Sequence, residues 1–210
     1  MKVTIFGATG RTGKHLVKKS LEAGYKVTAY ARSPEKLGIE HPNLNVVQSE
    51  LTDRTAVSRA IKGADAVLSG LGAVRGGNPQ VMVSAANSIL PAMQEHNVKR
   101  LIWAAGAGVP APEDQPAFIH RVIELLLKLT AREVLEDSLA GAELIQNSEL
   151  DWTIARGPML TDDPGTGQYR AGFVSGEMGR TLSREDFADF MLKQIKSSEW
   201  LKKMPAVSNI

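Results

Sequence analysis

The strongest fold signal in this chain is the stretch IFGATGRTG, Ile5-Phe6-Gly7-Ala8-Thr9-Gly10-Arg11-Thr12-Gly13. Its three evenly spaced glycines follow an apolar run and precede a segment with the period of a helix. A loop between a first strand and a first helix directs its backbone N–H groups and the positive end of the helix dipole to one point, where an anion binds. Glycine allows the left-handed turn, the approach of a phosphate and the close packing of helix on strand. The context favours a dinucleotide site over a purely structural loop, formed by Gly7, Ala8, Thr9, Gly10, Arg11, Thr12 and Gly13.

Outward from this loop, β-branched runs alternate with longer segments of helical period. The predicted strands are 2–6, 26–30, 44–48, 64–69, 100–104 and 152–156, and the predicted helices are 11–23, 53–62, 79–96, a stretch within 114–147 and a last helix through 194. Parallel neighbours need right-handed crossovers, so the alternation indicates a mostly parallel sheet with helices on both faces. We expect a single doubly wound α/β, Rossmann-like domain over residues 1–210, with strand order 3-2-1-4-5-6 and one further strand as an option.

Local signals refine the last third of the chain and one earlier helix. Residues 157–180 lose the helical period and gather Gly, Pro and Asp, so we expect a small excursion on the substrate side, with a short hairpin as one option. Ser183 followed by Asp186 resembles a capping box that opens the last helix. Pro91 lies within the predicted helix 79–96 and should bend it, because proline lacks an N–H and its ring clashes with the preceding turn.

The composition excludes several classes of protein. With 43% hydrophobic and 23% charged residues the chain is typical of a soluble globular protein, and no apolar run approaches the roughly 18 residues that indicate a membrane span. The N-terminal residues enter a strand pattern without the features of a secretion signal. Cysteine is absent, which excludes thiol chemistry and fits a reducing compartment, so we expect a cytoplasmic protein. The net charge of +2 comes from scattered Lys and Arg, and neither nucleic acid nor membrane is an expected partner.

The end of the second predicted strand indicates which dinucleotide binds. NAD-binding domains place Asp or Glu there, on the ribose 2′-OH, whereas an Arg accommodates the 2′-phosphate of NADP. This chain has Arg32 and Ser33 at that point and no acid. Arg32 can bind a phosphate with two N–H groups and Ser33 can donate its hydroxyl, with Arg11 as a second cation. We therefore expect NADP(H) to bind in preference to NAD(H); the alternative is that Arg32 is a solvated surface residue.

The motifs GATGRTG at 7–13, Arg32-Ser33 and ELDWTIARGPML at 149–160 resemble those of the atypical short-chain dehydrogenase/reductases. Within them the chain is most similar to the small NAD(P)H-binding proteins related to NmrA-like regulators and to biliverdin-IXβ (flavin) reductase. The resemblance covers nearly the whole chain and implies that Glu50 and Leu51 lie beside the adenine. It also implies that three strand ends face the nicotinamide and its ribose, through Ser69, Gly70, Leu71, Gly72 and Ala73, through Ala104, Ala105 and Gly106, and through Gly157, Pro158 and Met159.

The chain departs from that family at the catalytic residues. Most short-chain reductases use a Tyr with a Lys four residues later, but here the residues four positions after Tyr25, Tyr30 and Tyr169 are Ala29, Pro34 and Phe173. The Ser that many relatives carry after the fifth strand is also missing. His120 is the remaining candidate for a catalytic acid, with a surface or helix-packing role as the alternative. The other histidines, His15, His41 and His96, lie far apart in sequence, so we predict no metal site.

These observations lead to one predicted function and one rival. Reduction of a simple carbonyl needs a proton donor in the transition state, whereas a flavin or quinone can take its proton from water afterwards. We therefore predict an NADPH-dependent oxidoreductase with a small conjugated acceptor as its partner. The rival is a redox sensor of the NmrA-like type that binds NADP(H) without turnover and contacts a protein partner. A sugar-nucleotide epimerase or dehydratase is disfavoured, because the 54 residues after Arg156 leave little room for a substrate domain.

Overall fold

The computed structural model describes residues 1–72, 78–115, 131–176 and 178–210. In these residues five α helices are numbered here in chain order: α1 (Arg11–Glu22), α2 (Arg54–Ile61), α3 (Val81–Glu95), α4 (Arg132–Gln146) and α5 (Arg184–Lys193). The strands are β1 (Lys2–Phe6), β2 (Lys26–Ala31), β3 (Leu44–Gln48), β4 (Ala66–Ser69), β5 (Arg100–Gly106), β6 (Asp151–Gly157), β7 (Met159–Thr161), β8 (Tyr169–Gly172), β9 (Thr181–Ser183) and β10 (Ala206–Asn209). A 3-10 turn at Pro34–Lys36 takes the place of a helix between β2 and β3.

Eight of the strands form one sheet in the order β3-β2-β1-β4-β5-β6-β10-β8. The predicted order of the first six strands is confirmed, and two strands extend the sheet beyond β6. Strand β10 is parallel to β6 and β8 is antiparallel to β10. Strands β5 and β6 are paired from Arg100↔Asp151 to Gly106↔Gly157, so they end together at the carboxyl edge of the sheet. Ligands of open α/β sheets bind at this edge.

A core lies on each face of the sheet. Side chains of a strand alternate between faces, and in β1 this alternation puts Val3 and Ile5 into the core under α1 and α5 but Phe6 into the core under α2, α3 and α4. Helix α1 packs against α5 on the first face, while α3 packs against α2 and α4 on the second. On the first face, the N-termini of α1 and α5 lie close together, since the first residue of each helix contacts Asp162. Among the described residues, no helix combines the length and the apolar character needed to cross a membrane.

The excursion after β6 differs from the hairpin considered above. Strand β7 pairs with β9 in a separate two-stranded parallel sheet, and β8 pairs with β10. The loop between β7 and β8 does not turn one strand onto the other because its backbone is tied to α5, where Asp186 accepts hydrogen bonds from the N–H groups of Thr166 and Gly167. The hairpin option is therefore wrong.

Two further sequence expectations have mixed outcomes. The Ser183 Oγ accepts a hydrogen bond from the Asp186 N–H at 2.9 Å, which is one half of the expected capping box. The other half is replaced, because the Asp186 carboxylate faces the 166–167 backbone instead of returning to Ser183. Pro91 lies inside α3, which continues from Val81 to Glu95.

Candidate cofactor site

The glycine loop after β1 adopts a tight turn against the start of α1. Gly7 has a φ of +71°, in the left-handed region, and the Gly10 N–H donates to the Gly7 carbonyl at 2.9 Å. A Cβ on Gly13 would lie 2.0 Å from the Gly7 oxygen, and one on Gly7 would lie 2.9 Å from the Leu71 nitrogen. Gly7 is thus required by the turn, and Gly13 by the contact of helix and loop. Gly10 has an ordinary extended conformation, with φ −68° and ψ 164°.

The first turn of α1 presents backbone donors that are available to a ligand. Gly10 is the N-cap, and within the described part of the chain no side chain caps this helix and no acid lies in its first turn. The first N–H groups of a helix have no partner within the helix, and they favour an anion. Arg11 adds a positive charge at the same point and is 70% exposed. The loop and the helix start therefore fit a phosphate group.

A cleft of about 600 Å³ opens at this point and runs along the carboxyl edge of the sheet. Most of the predicted cofactor residues line it: Gly7, Thr9, Gly10, Arg11, Thr12, Arg32, Ser33, Glu50, Leu51, Gly70, Leu71, Gly72, Ala104, Ala105, Gly106, Gly157 and Pro158. Segments that lie far apart in the chain thus meet at one edge, as the strand order requires.

Four of the predicted cofactor residues that the structure describes, Ala8, Gly13, Ser69 and Met159, do not line the cleft. Ala8, Gly13 and Ser69 are buried beneath the loop and the sheet edge, and the Ser69 Oγ has no hydrogen-bond partner among the described residues. Met159 is 68% exposed and follows the part of β6 that reaches the cleft. Ala73 and the candidate acid His120 lie outside the described residues.

At the β2 end of the cleft, Arg32 lies in a loosely held position. Its Nε is 3.9 Å from Glu50 Oε1, and both side chains are largely exposed. Tyr30, a lining residue that the sequence did not single out, donates from its hydroxyl to the Glu50 carbonyl oxygen at 2.7 Å. Burial, with smaller contributions from nearby acids, raises the pKa of Tyr30, so it stays protonated and keeps this donor. Lys36 adds a cation to the same end of the cleft.

The opposite end of the cleft is walled by α3 and α4. The two helices contribute Val81, Met82, Ser84, Val134 and Ser138, and Asn78, three residues before α3, lines the same end. Asp137 of α4 joins the two helices, because its carboxylate accepts hydrogen bonds from the N–H groups of Met82 at 2.8 Å and Val83 at 3.0 Å. Sequence reasoning missed this contact, since the N-cap carboxylate of α3 comes from another helix rather than from the residue before it.

A buried ion pair supports the end of β6. Arg156 is fully buried and donates to both carboxylate oxygens of Asp114, at 2.6 and 2.7 Å. Asp114 also accepts from the N–H groups of Ala111 and Val174, each at 2.8 Å. Burial alone would raise the pKa of Asp114, but the hydrogen bonds from Arg156 and the two backbone groups hold it below its usual range. The pair fixes the loop after β5 next to the strand end that carries Gly157.

A tyrosine and a lysine do meet in the structure, away from the cleft. Lys193 Nζ donates to the Tyr169 hydroxyl at 3.0 Å, and that hydroxyl donates to Asp189 at 2.6 Å. Tyr169 lies on β8 at the sheet edge, and neither it nor Lys193 is among the described residues that line the cleft. Burial and the Asp189 carboxylate raise the pKa of Tyr169 to about 12. A catalytic tyrosine needs a lowered pKa, so this pair does not replace the missing one.

Comparison with known proteins shows the family of the chain. A family model described as NAD(P)H-binding matches residues 7–198. The uncharacterized protein YwnB of Bacillus subtilis is 25% identical over 212 residues, which cover 95% of this chain and 94% of YwnB. Three mycobacterial proteins are 28% identical over 208 residues, and this chain spans 24% of their length.

Solved structures share the fold over the full chain. A short-chain dehydrogenase/reductase of Veillonella parvula in complex with NADP superimposes with a TM-score of 0.81 at 20% identity, covering 99% of this chain and 94% of that one. ChuY of Escherichia coli O157:H7, described as an anaerobilin reductase, gives a TM-score of 0.78 at 16% identity, covering 100% of this chain and 97% of ChuY.

Proposed function

Because the chain belongs to the family of NAD(P)H-binding proteins, we propose that it is a reductase that uses NADPH to reduce a flavin, a quinone or a similar conjugated acceptor. The glycine loop and the first turn of α1 would hold the pyrophosphate, and the ends of β5 and β6 would face the nicotinamide. The lack of cysteine supports a reducing, cytoplasmic setting for this activity.

The preference for NADPH is supported by the cations at the β2 end of the cleft. Arg32, Ser33 and Lys36 line that end, and the two residues directly after β2 are Arg32 and Ser33, where NAD-binding domains place an acid for the ribose 2′-OH. Glu50 pairs with Arg32, but the 3.9 Å separation and the exposure of both side chains leave the guanidinium free to turn towards a phosphate. We assign Arg32 and Ser33 to the 2′-phosphate.

The proposed acceptor class is supported by the side chains that α3 and α4 place in the cleft. Among the described residues of α3 and α4 that line the cleft, and at Asn78 before them, the polar side chains are amide and hydroxyl groups and none is an acid or base. An acceptor that needs a proton in the transition state would lose the about 10²- to 10⁴-fold acceleration that a positioned acid supplies. A flavin or quinone does not depend on that donor. This is the single observation that carries the proposal.

The chain's own residues would act mainly by positioning. When bound, NADPH supplies the hydride, and the reduced acceptor takes a proton from water, leaving NADP⁺. The small residues at the ends of β5 and β6, Ala104 to Gly106 and Gly157, leave space for a planar ring to stack on the cofactor. Val81 lines the cleft with a partly exposed side chain and would provide an apolar contact for such a ring. Stacking in a fixed orientation is a recognised source of rate acceleration.

Two similar proteins named as reductases support this reading. The structure of ChuY is described as that of an anaerobilin reductase. A (4-alkanoyl-5-oxo-2,5-dihydrofuran-3-yl)methyl phosphate reductase of Streptomyces griseus is 38% identical over 65 residues, which are 31% of this chain. Both names describe reduction, and the acceptor of the present chain is inferred from its own cleft.

The proposal is tested by following NADPH oxidation with FMN, riboflavin and a small quinone as acceptors. Gly10→Val is the informative variant, because Gly10 has backbone angles that valine adopts and its substitution places methyl groups where the phosphate must approach. Gly172→Val is the matched control: a Cβ there meets nothing within 4 Å, and β8 lies at the far edge of the sheet.

We expect saturable oxidation by the wild type and by Gly172→Val, and loss of NADPH binding and turnover in Gly10→Val. Tight NADPH binding with no oxidation of any acceptor would contradict the reductase and favour the sensor. A sensor must also bind NADP⁺ and NADPH with different affinities, since equal affinities shift no equilibrium.

A further inference from the structure

Two arginines of the cleft share one carboxylate from the segment after β7. Arg184 Nη1 donates to Asp162 Oδ1 at 2.8 Å, and Arg11 Nη1 donates to Asp162 Oδ2 at 3.1 Å. Arg11 lies in the glycine loop and Arg184 begins α5, and both line the cleft. A carboxylate therefore holds the guanidinium that stands at the predicted phosphate position.

The two halves of this arrangement differ in how firmly they are held. The side chain of Arg184 is 10% exposed, whereas those of Arg11 and Asp162 are 70% and 63% exposed. An ion pair between exposed side chains is weak, because water and salt screen it. Arg184 is thus a fixed part of the wall, and the Arg11–Asp162 contact is the part that a stronger anion can replace.

The segment that carries Asp162 is anchored by other residues. The Gly165 N–H donates to Glu185 at 3.0 Å, and the N–H groups of Thr166 and Gly167 each donate to Asp186 at 2.9 Å. These contacts keep the loop at the start of α5 whether or not Asp162 carries a charge. A substitution at Asp162 can therefore change the electrostatics of the cleft without releasing the loop.

We propose that Asp162 is a built-in competitor for the phosphates of the dinucleotide: it pairs with Arg11 in the free protein and gives Arg11 up when the cofactor binds. The inference deepens the proposed function and depends on the same cleft. A phosphate outcompetes the carboxylate, because it presents more charge and several acceptor oxygens to the guanidinium, and because the backbone donors of α1 favour it at the same point. Asp162 thereby lowers cofactor affinity.

The test compares the dissociation constants of NADPH and NADH for the wild type, Asp162→Asn and Asp163→Asn by titration calorimetry. Asp163 is the matched control: it is the next residue, it is exposed, and among the described residues its carboxylate has no hydrogen-bond or ion-pair partner. We expect Asp162→Asn to bind NADPH about three- to tenfold more tightly, the size expected for one partly screened charge next to a phosphate. Asp163→Asn should stay within about twofold of the wild type, since a more distant exposed charge is screened.

The comparison of cofactors identifies the phosphate that Arg11 meets. An equal gain for NADPH and NADH points to the pyrophosphate, and a larger gain for NADPH points to the 2′-phosphate; either supports displacement. No gain, weaker binding or an equal gain in both variants overturns it. Because the measurement needs no turnover, it separates the two proposals. A wild type that binds NADPH but reduces no acceptor contradicts the reductase and leaves this inference testable. A wild type that reduces an acceptor, with no gain in NADPH affinity in Asp162→Asn, removes this inference alone.

Discussion

Arg156 and Asp114 form a buried, two-point ion pair between the end of β6 and the loop after β5, at 2.6 and 2.7 Å. Two further donors of Arg156 are also used, because its Nε donates to the Met204 carbonyl and Nη1 also donates to that of Val109. Removing one partner of a buried pair leaves an uncompensated charge. The contact therefore fixes the strand end that presents Gly157 to the cleft.

Asp114→Asn should lower the free energy of unfolding by about 3 kcal/mol or more, because it leaves the buried Arg156 guanidinium without its counter-charge. Urea unfolding measures the difference. Glu136→Gln is the control, since Glu136 pairs with Arg132 on the surface, where both side chains are more than half exposed. That variant should be indistinguishable from the wild type, and equal stability of both variants would show that the buried pair is not structural.

The same carboxylate gives the stability a pH dependence of defined sign. The folded pKa of Asp114 is held below its usual value, so the unfolded chain binds the proton more readily and stability rises with pH in this range. The contribution is complete above the unfolded pKa of about 3.9 and is lost as the pH falls through the lower folded pKa. In unfolding curves recorded at several pH values, Asp114→Asn should reduce the loss of unfolding free energy at acid pH. An unchanged acid dependence would assign it to Asp53, Glu185 and Asp189, whose pKa values are also lowered.

Gly13→Ala and Gly10→Ala should differ sharply in stability. The new methyl at position 13 would lie 2.0 Å from the Gly7 oxygen, whereas at position 10 it would lie 3.1 Å from the same atom. The first contact can be relieved only if the loop or the helix moves. Gly13→Ala should therefore lower the free energy of unfolding by more than about 3 kcal/mol, above the usual range for an added methyl. Thermal unfolding of the two variants tests this, and equal midpoints would contradict the packing role of Gly13.

Arg32→Asp should reduce the difference in binding affinity between NADPH and NADH. We expect the wild type to bind NADPH at least about tenfold more tightly than NADH, the gain from one charge-assisted phosphate contact. In the variant NADPH should weaken, because Asp repels the 2′-phosphate, and NADH should be retained. Arg54→Asp supplies the charge control, since Arg54 is exposed and is not among the described residues that line the cleft. Equal affinities for the two cofactors in the wild type would remove the assignment of Arg32.

The parts of this account that sequence predicts are those with local signals. The glycine spacing, the helix that follows it and the strand alternation fix the first six strands, and Gly7 and Gly13 have the geometry expected of them. Arg32 is singled out by a short rule that links the end of β2 to the ribose, and its role stays a prediction. These inferences need only the neighbours of each residue in sequence.

The parts that sequence does not predict depend on contacts across the chain. Asp114 binds Arg156, which lies 42 positions away in the sequence, and Asp137 binds the first turn of α3 at Met82, 55 positions away. The pairing of β8 with β10 is equally hidden, because no local signal in residues 157–180 indicates that the backbone at 165–167 binds the acids that open α5. Tyr30 and Lys36 lack a motif and join the cleft only through the strand order.

The most direct test of the central claim is an anaerobic single-turnover experiment. The protein is mixed with an equal amount of NADPH and with increasing concentrations of riboflavin, and the absorbance of both compounds is followed together. The account predicts that NADPH loss and riboflavin reduction share one rate, saturate with riboflavin and disappear in Gly10→Val. Bound NADPH that persists with oxidised riboflavin, and with a small quinone in its place, would contradict the reductase.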